Sequence, residues 1–296
     1  MQYALFLGCK IPHFVPHYEM ATRQVLAELK VELVEPEFNC CGYPMRHLYF
    51  DSYLLASARN MAIAESLNLD ILTPCKCCFG SFKRVRHLLR EFPSLKEKVD
   101  QGLAEEGLRY TGKNEVKHLL SVLRHDVGLE ALAAKVKYSY KGLKVAAMYG
   151  CHAIRPSKMT QFDDPAAPSL IEDLLQVTGA DTVEWDGKLS CCGSPVRGWN
   201  EQLSLDMVSK LLRHARRGGA DILCISCPYS QMQCEWAAEV TNQADKAEFV
   251  GGSMLYPQIL GLAMGFTPEE LGLAYNLPDV GYIQSFLQQK PKAAAG

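Results

Sequence analysis

The sequence has no excess of charge of either sign: 31 Lys and Arg stand against 33 Asp and Glu, a formal charge of −2. Without a net field, nucleic acid is not an expected partner, and any contact with an anionic surface would be local. Long apolar runs are also missing. The most apolar stretch, Met254 to Phe266, is broken by Pro257, Gln258, Gly261 and Gly265, and it falls short of the ~20 residues a membrane span needs. Leu5-Phe6-Leu7-Gly8-Cys9 superficially resembles a lipoprotein cleavage site, yet no basic leader precedes it. These absences predict a cytoplasmic protein with no transmembrane segment, whose cysteines are reduced or metal-bound rather than paired as disulfides.

Cysteine itself is abundant, with 12 in 296 residues, in a chain that is otherwise 48% hydrophobic and 22% charged, as globular proteins are. The length allows one large or two medium domains. Internal comparison favours two, because the chain is written twice. Tyr3-Ala4-Leu5-Phe6-Leu7-Gly8-Cys9, Cys40-Cys41-Gly42-Tyr43-Pro44 and Leu69-Asp70-Ile71-Leu72-Thr73-Pro74-Cys75 occur in order in the first half. Val145 to Cys151, Cys191-Cys192-Gly193-Ser194-Pro195 and Ala220 to Cys227 repeat that order in the second. One insertion near Asp163 to Pro168 would account for the change in spacing.

Val145 to Met148 and Ile71 to Leu72 are short and apolar and run into Gly or Pro, as buried parallel strands do. Tyr18 to Leu29, Leu54 to Leu67, Leu170 to Val177 and Leu203 to Ala215 carry apolar residues at helical spacing. Alternating strands and helices predict an α/β fold: two pseudo-symmetric Rossmann-like domains with mostly parallel sheets, joined by a helical insert. The expected boundaries are 1–140, with the insert at about 83–140, and 141–296. Lys83 to Lys141 has no evident counterpart in the second half, and Val116, Leu119, Leu120 and Leu123 suggest amphipathic helices bridging the domains. The basic run Lys83, Arg84, Arg86, His87 and Arg90 reads as a solvated face or a site for an acidic partner. After Gly251 a helical segment is expected, with Lys290 to Gly296 as a frayed tail.

Each repeat brings a Gly-Cys at a strand end, a Cys-Cys-Gly turn and a further cysteine segment to the loops where ligands collect in parallel α/β sheets. Thiolates are soft ligands that select zinc, copper(I) or iron–sulfur clusters. The first set is Cys9, Cys40, Cys41, Cys75 and Cys78, with Cys77 left over as a small buried hydrophobe. The second comprises Cys151, Cys191, Cys192 and Cys227, but Ser230 occupies the position of Cys78. Its fifth ligand is open among Ser230, Cys234 and Cys224. His152, beside Cys151, is the candidate proton donor or polarising group, equally readable as a hydrogen-bonded loop residue that shapes the site. His13 and His17 are weaker candidates of the same kind.

The opening Tyr-Ala-Leu-Phe-Leu-Gly-Cys, both Cys-Cys-Gly turns, Asn60 to Cys78, Tyr149-Gly150-Cys151-His152 with Pro156-Ser157, and the Val116 to Asp126 region together resemble the B subunit of heterodisulfide reductase. The resemblance spans nearly the whole chain. It implies two noncubane 4Fe-4S clusters flanking a site where a disulfide is cleaved to two thiols. It also implies a ferredoxin-like C subunit that delivers electrons and a flavin-bearing A subunit behind it. Ser230 departs from the pattern, which leaves the substrate open between a disulfide and a sulfur-loaded carrier thiol, and leaves open whether the methanogenic disulfide is used. The chain has no bacterial ferredoxin-type Cys-x-x-Cys-x-x-Cys-x-x-x-Cys-Pro run, consistent with a separate electron-delivering partner. Two other classes are carried forward: an electron-transfer component of a flavoprotein oxidoreductase, and a zinc-stabilised scaffold. Five thiolates per site exceed what tetrahedral zinc uses.

Overall fold

The computed structural model describes residues 1–242 and 246–290; the tail beyond Lys290 lies outside the described residues. Strands β1 (Gln2–Leu5), β2 (Glu32–Val34), β3 (Ile71–Thr73) and β4 (Val116–His118) form a parallel sheet in the order β2-β1-β3-β4. After the short strand β5 (Tyr138–Tyr140), a second parallel sheet repeats that order as β7-β6-β8-β9, from β6 (Lys144–Ala147), β7 (Asp181–Val183), β8 (Ile222–Ile225) and β9 (Ser253–Leu255). The chain is thus an α/β protein of two like halves. Helices α1 (Lys10–Phe14), α2 (Pro16–Glu28), α3 (Phe50–Ser66), α4 (Lys76–Glu91) and α5 (Pro93–Ala104) belong to the first half. The helices of the second half are α8 (Ser157–Thr160), α9 (Leu170–Val177), α10 (Glu201–Arg217), α11 (Pro228–Val240) and α12 (Tyr256–Met264). Helix α10 buries Ser204, Val208, Leu211, Leu212 and Ala215, the spacing of a single helical face.

Two expectations need correction. The segment after Lys83 is not wholly a helical insert, because Val116 lies in β4, which completes the first sheet as β9 completes the second. Within it the short helix α6 (Leu119–Ser121), a π-helical stretch at Val122–Gly128 and α7 (Leu129–Lys135) pack against α9 of the second half, while α4 packs against α8. The region after Gly251 is likewise not simply helical: it begins with β9, and β10 (Leu287–Gln289) returns to pair antiparallel with β5. Both strands are three residues long, too short for a period-two pattern to stand out from a helical one.

The spacing change is also distributed rather than single. Ala4 sits opposite Val34 and Ile71, and Ala146 opposite Val183 and Leu223. This register puts most of the extra length between Cys151 and β7, some between β7 and Cys191, and the remainder between Cys191 and β8.

The most apolar stretch of the sequence becomes α12, in which every residue is buried and which lies against α2 of the first half. Burying Ile259, Leu260, Leu262 and Met264 contributes about 1.5–3 kcal/mol each relative to exposure. A polar pair crosses the same boundary. His17 on α2 and Glu235 on α11 are both buried, with Nε2 and Oε1 3.9 Å apart. Burial lowers the pKa of His17 to about 4 and raises that of Glu235 to about 7.

The two shifts act oppositely on stability. As pH rises from 4.5 to 7 the unfolded chain releases the Glu235 proton while the folded chain keeps it, so this group makes folding less favourable. His17 does the reverse between about 4 and 6.5, protonating only in the unfolded chain, and the two contributions offset over most of that window. Glu235→Gln should therefore be more stable than wild type above pH 7, by about 3 kcal/mol at most. The advantage should vanish toward pH 4.5 in thermal melts across pH. A difference independent of pH would show that Glu235 does not titrate this way.

Candidate metal centres

Cysteines cluster where the parallel strands end. Cys9 follows β1, and Cys75 and Cys227 directly precede α4 and α11, each at the helix N-terminus, where the helix dipole favours a thiolate. The Cys-Cys-Gly segments are matched turns. Gly42 and Gly193 adopt φ of +77° and +82°, a left-handed conformation that side chains disfavour. That twist turns the Gly193 N–H onto Cys191 Sγ at 3.4 Å, and the Gly42 N–H likewise bonds Cys40. Helix α3 fixes the first turn, with Ser57 Oγ donating to the Cys41 carbonyl at 2.6 Å and the Asn60 amide donating to the Asn39 and Cys40 carbonyls. Helix α10 fixes the second, with Ser204 Oγ donating to the Gly193 carbonyl at 3.0 Å.

The thiols of each half lie side by side in a string. In the first, Cys9 and Cys41 adjoin Cys40, and Cys78 adjoins Cys41 and Cys75. In the second, Cys151 and Cys192 adjoin Cys191, and Ser230 adjoins Cys192. Cys40 is thereby held far below the ordinary thiol range, first by Cys41 and then by Cys9. Cys191 is held equally low, first by Cys151 and then by Cys192. Burial pushes Cys75 up, but bonds from Cys227, Cys77 and Cys78 outweigh it and hold it low.

The two sites adjoin. Cys75 and Cys227, equivalent in the repeat, meet at the boundary between the halves, and the sulfurs of Cys75, Cys77 and Cys227 all lie within 4.8 Å of one another. His152 spans the same boundary. Its Nδ1 is 3.3 Å from Cys151 Sγ and 3.8 Å from Cys77 Sγ, and its Nε2 is 2.9 Å from the hydroxyl of Tyr43, in the first half. Desolvation, followed by the nearby Arg46, lowers the pKa of His152 and favours the neutral ring.

Lys76 is 3% exposed. Its Nζ donates across the boundary to the carbonyls of Met148 and Tyr149, at 3.0 and 2.9 Å, just before Cys151. Neither partner carries charge; burial lowers the Lys76 pKa to about 8, and surrounding sulfur, Cys227 foremost, opposes that shift.

Not every sequence candidate reaches these sites. Cys224 lies within β8, fully buried, opposite Ala147 and at the register position of Leu72. Cys234, on α11, lies beside Glu235 and beside Ser253 of β9, and lines a separate cavity with Leu212, Phe249 and Leu277. Ser230 does sit at the second site, against Cys192. His13 is exposed and His17 stacks on Tyr275. Cys77, Tyr43 and Lys76 join the site although no sequence signal marks them as functional; Cys77 and Lys76 lie inside the Cys75 to Cys78 motif, and Tyr43 directly follows a Cys-Cys-Gly. Of the basic run, Lys83 and Arg86 pair with Glu115 at 3.3 and 2.6 Å.

The donor set suits an iron–sulfur cluster. It offers soft sulfur ligands in excess of four, and all twelve cysteines are free of disulfides.

Such an arrangement defines a class, the duplicated cysteine-rich α/β protein with thiol sites at the strand ends. The cysteine-rich domain family, CCG, matches residues 3–83 and 145–235, and the chain belongs to it. Within that family it belongs with the proteins like the B subunit of heterodisulfide reductase, whose named members are oxidoreductase components. It is 34% identical over 278 residues to the B subunit of the ferredoxin/F420H2-dependent CoB-CoM heterodisulfide reductase of Methanosarcina acetivorans, covering 92% of each chain. Identity is 30% to a protein of Archaeoglobus profundus described as like the heterodisulfide reductase B subunit, covering 98% of this chain and 99% of that one. It is 31% to the 8-methylmenaquinol:fumarate reductase membrane anchor subunit of Wolinella succinogenes, covering 94% and 97%. A crystal structure of a hypothetical protein from Helicobacter pylori shares the fold, with a TM-score of 0.70 at 17% identity over 95% of this chain, which spans about half (52%) of that protein. Among the described residues no helix is long and apolar enough to cross a membrane.

Proposed function

We propose that the chain is the catalytic subunit of a heterodisulfide reductase-like complex, in which a disulfide or carrier-bound sulfane sulfur is cleaved or formed between two 4Fe-4S clusters of the noncubane type. The observation that carries this reading is the meeting of two matched thiol sites at Cys75 and Cys227, with His152 and Tyr43 over the junction. The first cluster would be held by Cys9, Cys40, Cys41, Cys75 and Cys78, and the second by Cys151, Cys191, Cys192 and Cys227. Cys224, in its strand, and Cys234, facing away, are not ligands in this reading. Electrons would arrive from a ferredoxin-like C subunit and a flavin-bearing A subunit, in the cytoplasm.

When bound, the clusters supply one electron each and iron that accepts sulfur. Cleaving one S–S bond takes two electrons and yields two thiolates, which leave as thiols after taking two protons. The chain's own residues prepare the place. Tyr43 and Cys151 hold the His152 ring between the halves, where an N–H can be donated to a sulfur as negative charge builds on it. Lys76 brings an amine, favoured as its cation by the thiols of the second half, to the junction. Burial of the junction excludes water and strengthens both effects.

Tyr43→Phe should leave iron content unchanged while lowering the rate of disulfide reduction about 10- to 100-fold, the usual effect of removing a group that orients a site residue. Unchanged kinetics would remove the Tyr43–His152 pair from the mechanism.

A second reading, an electron relay that touches no sulfur substrate, is favoured by the Wolinella relative, whose name assigns it to a fumarate reductase. Anaerobic purification followed by iron, sulfide and paramagnetic resonance measurements separates the readings. Two paramagnetic centres, one perturbed by added thiol, are expected. Two centres indifferent to thiols and disulfides would favour the relay, and zinc without sulfide would end both.

A further inference from the structure

We propose that Cys77 is the fifth sulfur ligand of the second centre, supplied by the first half across the domain boundary in place of the thiol that position 230 lacks. This rests on the reading of both sites as iron–sulfur centres. The first site has five sulfurs without Cys77: Cys9, Cys40, Cys41, Cys78 and Cys75 are joined in one string. The second has four and a serine. Ser230 keeps the register of Cys78 and touches Cys192, but a neutral hydroxyl is a hard donor and a poor substitute for thiolate at iron–sulfur clusters.

Cys77 lies on the far wall of that second site. The cavity there is lined by Cys77, Cys151, Cys192, Cys227 and Ser230 together. Cys77 Sγ lies within 4.8 Å of Cys227 Sγ and of Cys75 Sγ, and His152 Nδ1 lies 3.3 Å from Cys151 and 3.8 Å from Cys77, linking the displaced thiol to the site it would complete.

Pseudo-symmetry explains the crossing. Cys75 and Cys227 meet at the boundary, so the residue two positions further along each following helix reaches into the opposite half. For Cys227 that residue is Tyr229. It indeed faces the first half, with its ring 5.9 Å from the Tyr43 ring and in the field of Cys77, Cys75, Cys9 and Cys78. Its mate is Cys77, facing the second site. The same geometry that points a tyrosine one way points a thiol the other. On binding iron, Cys77 would form one Fe–S bond and release its thiol proton to solvent, with no change of oxidation state.

The test uses the anaerobically reconstituted full chain, read by iron and acid-labile sulfide content and by resonance spectra. Cys77→Ala should lose about half of both and keep the centre that Cys40→Ala destroys. Adding Ser230→Cys to Cys77→Ala should restore the content and the second signal by returning the thiol to its own half. Cys77→Ser gives a milder perturbation of the same signal should the alanine variant not fold. Full content with unchanged spectra in Cys77→Ala, or loss of the first centre instead of the second, would overturn the assignment. Wild-type protein that takes up no sulfide would fail earlier and count against the cluster reading itself, so the two failures are distinguishable.

Discussion

Cys191→Ala should lose about half of the iron and acid-labile sulfide and reduce disulfide turnover to background, while the chain stays folded. Cys191 is the centre of its string: Cys151 and Cys192 both adjoin it, and the Gly193 N–H donates to its sulfur. Removing that sulfur deletes a ligand and also leaves Cys151 and Cys192 without their shared neighbour. The loss should be far larger than that of a single hydrogen bond, on the order of 1 kcal/mol. Cys40→Ala should mirror it at the first site, since Cys40 adjoins Cys9 and Cys41 in the same way. The two variants should remove different resonance signals, and the double variant should hold no cluster. Should either single variant retain full iron and sulfide, its site does not ligate through the turn.

A methyl group at position 80 should be nearly as damaging to turnover while sparing the first centre. Gly80 lies within α4, and a Cβ there would sit 2.7 Å from the carbonyl oxygen of His152, a backbone atom that cannot swing aside. Alanine ordinarily favours a helix over glycine by about 1 kcal/mol. Here that gain is opposed by an overpacking cost of about 1–3 kcal/mol. Relief requires α4 and the Cys151–His152 loop to move apart. That motion carries Cys77 away from Cys227 and breaks the contact of His152 with Tyr43, in the first half. Gly80→Ala should therefore lower the melting temperature modestly, cut disulfide reduction at least about tenfold through the lost orientation, and alter only the second resonance signal. A variant with wild-type turnover would show that the junction tolerates separation.

Both expectations follow from one feature of the molecule: two copies of a thiol-bearing α/β unit packed so that the strand ends face each other. The buried helix Tyr256–Met264 holds that packing on one side, and Lys76 holds it beside the sulfurs. A lysine bonded only to main-chain carbonyls in a buried site is costly unless anions surround it. Its presence is consistent with a site that holds negative charge.

Everything periodic or local is legible in the amino-acid order alone. Twinned Gly-Cys and Cys-Cys-Gly segments, apolar strand runs and helical spacing specify a duplicated parallel α/β chain. They also mark the cysteines at the strand ends, because each of those signals lies within a few residues along the chain. The strands Val116–His118 and Ser253–Leu255 are not legible in this way, since three residues are too few to show an alternation. The status of Cys77, Tyr43, Lys76, Cys224 and Cys234 emerges only from the folded chain. Cys224-x-x-Cys227 and Cys75-x-x-Cys78 look alike as text, yet strand register buries Cys224 at the place of Leu72. Cys77, which reads as a spare within its motif, is brought beside Cys227 by the packing of one half on the other. Contacts between residues some 150 positions apart depend on how two separately folded surfaces dock, and no spacing within either half encodes that.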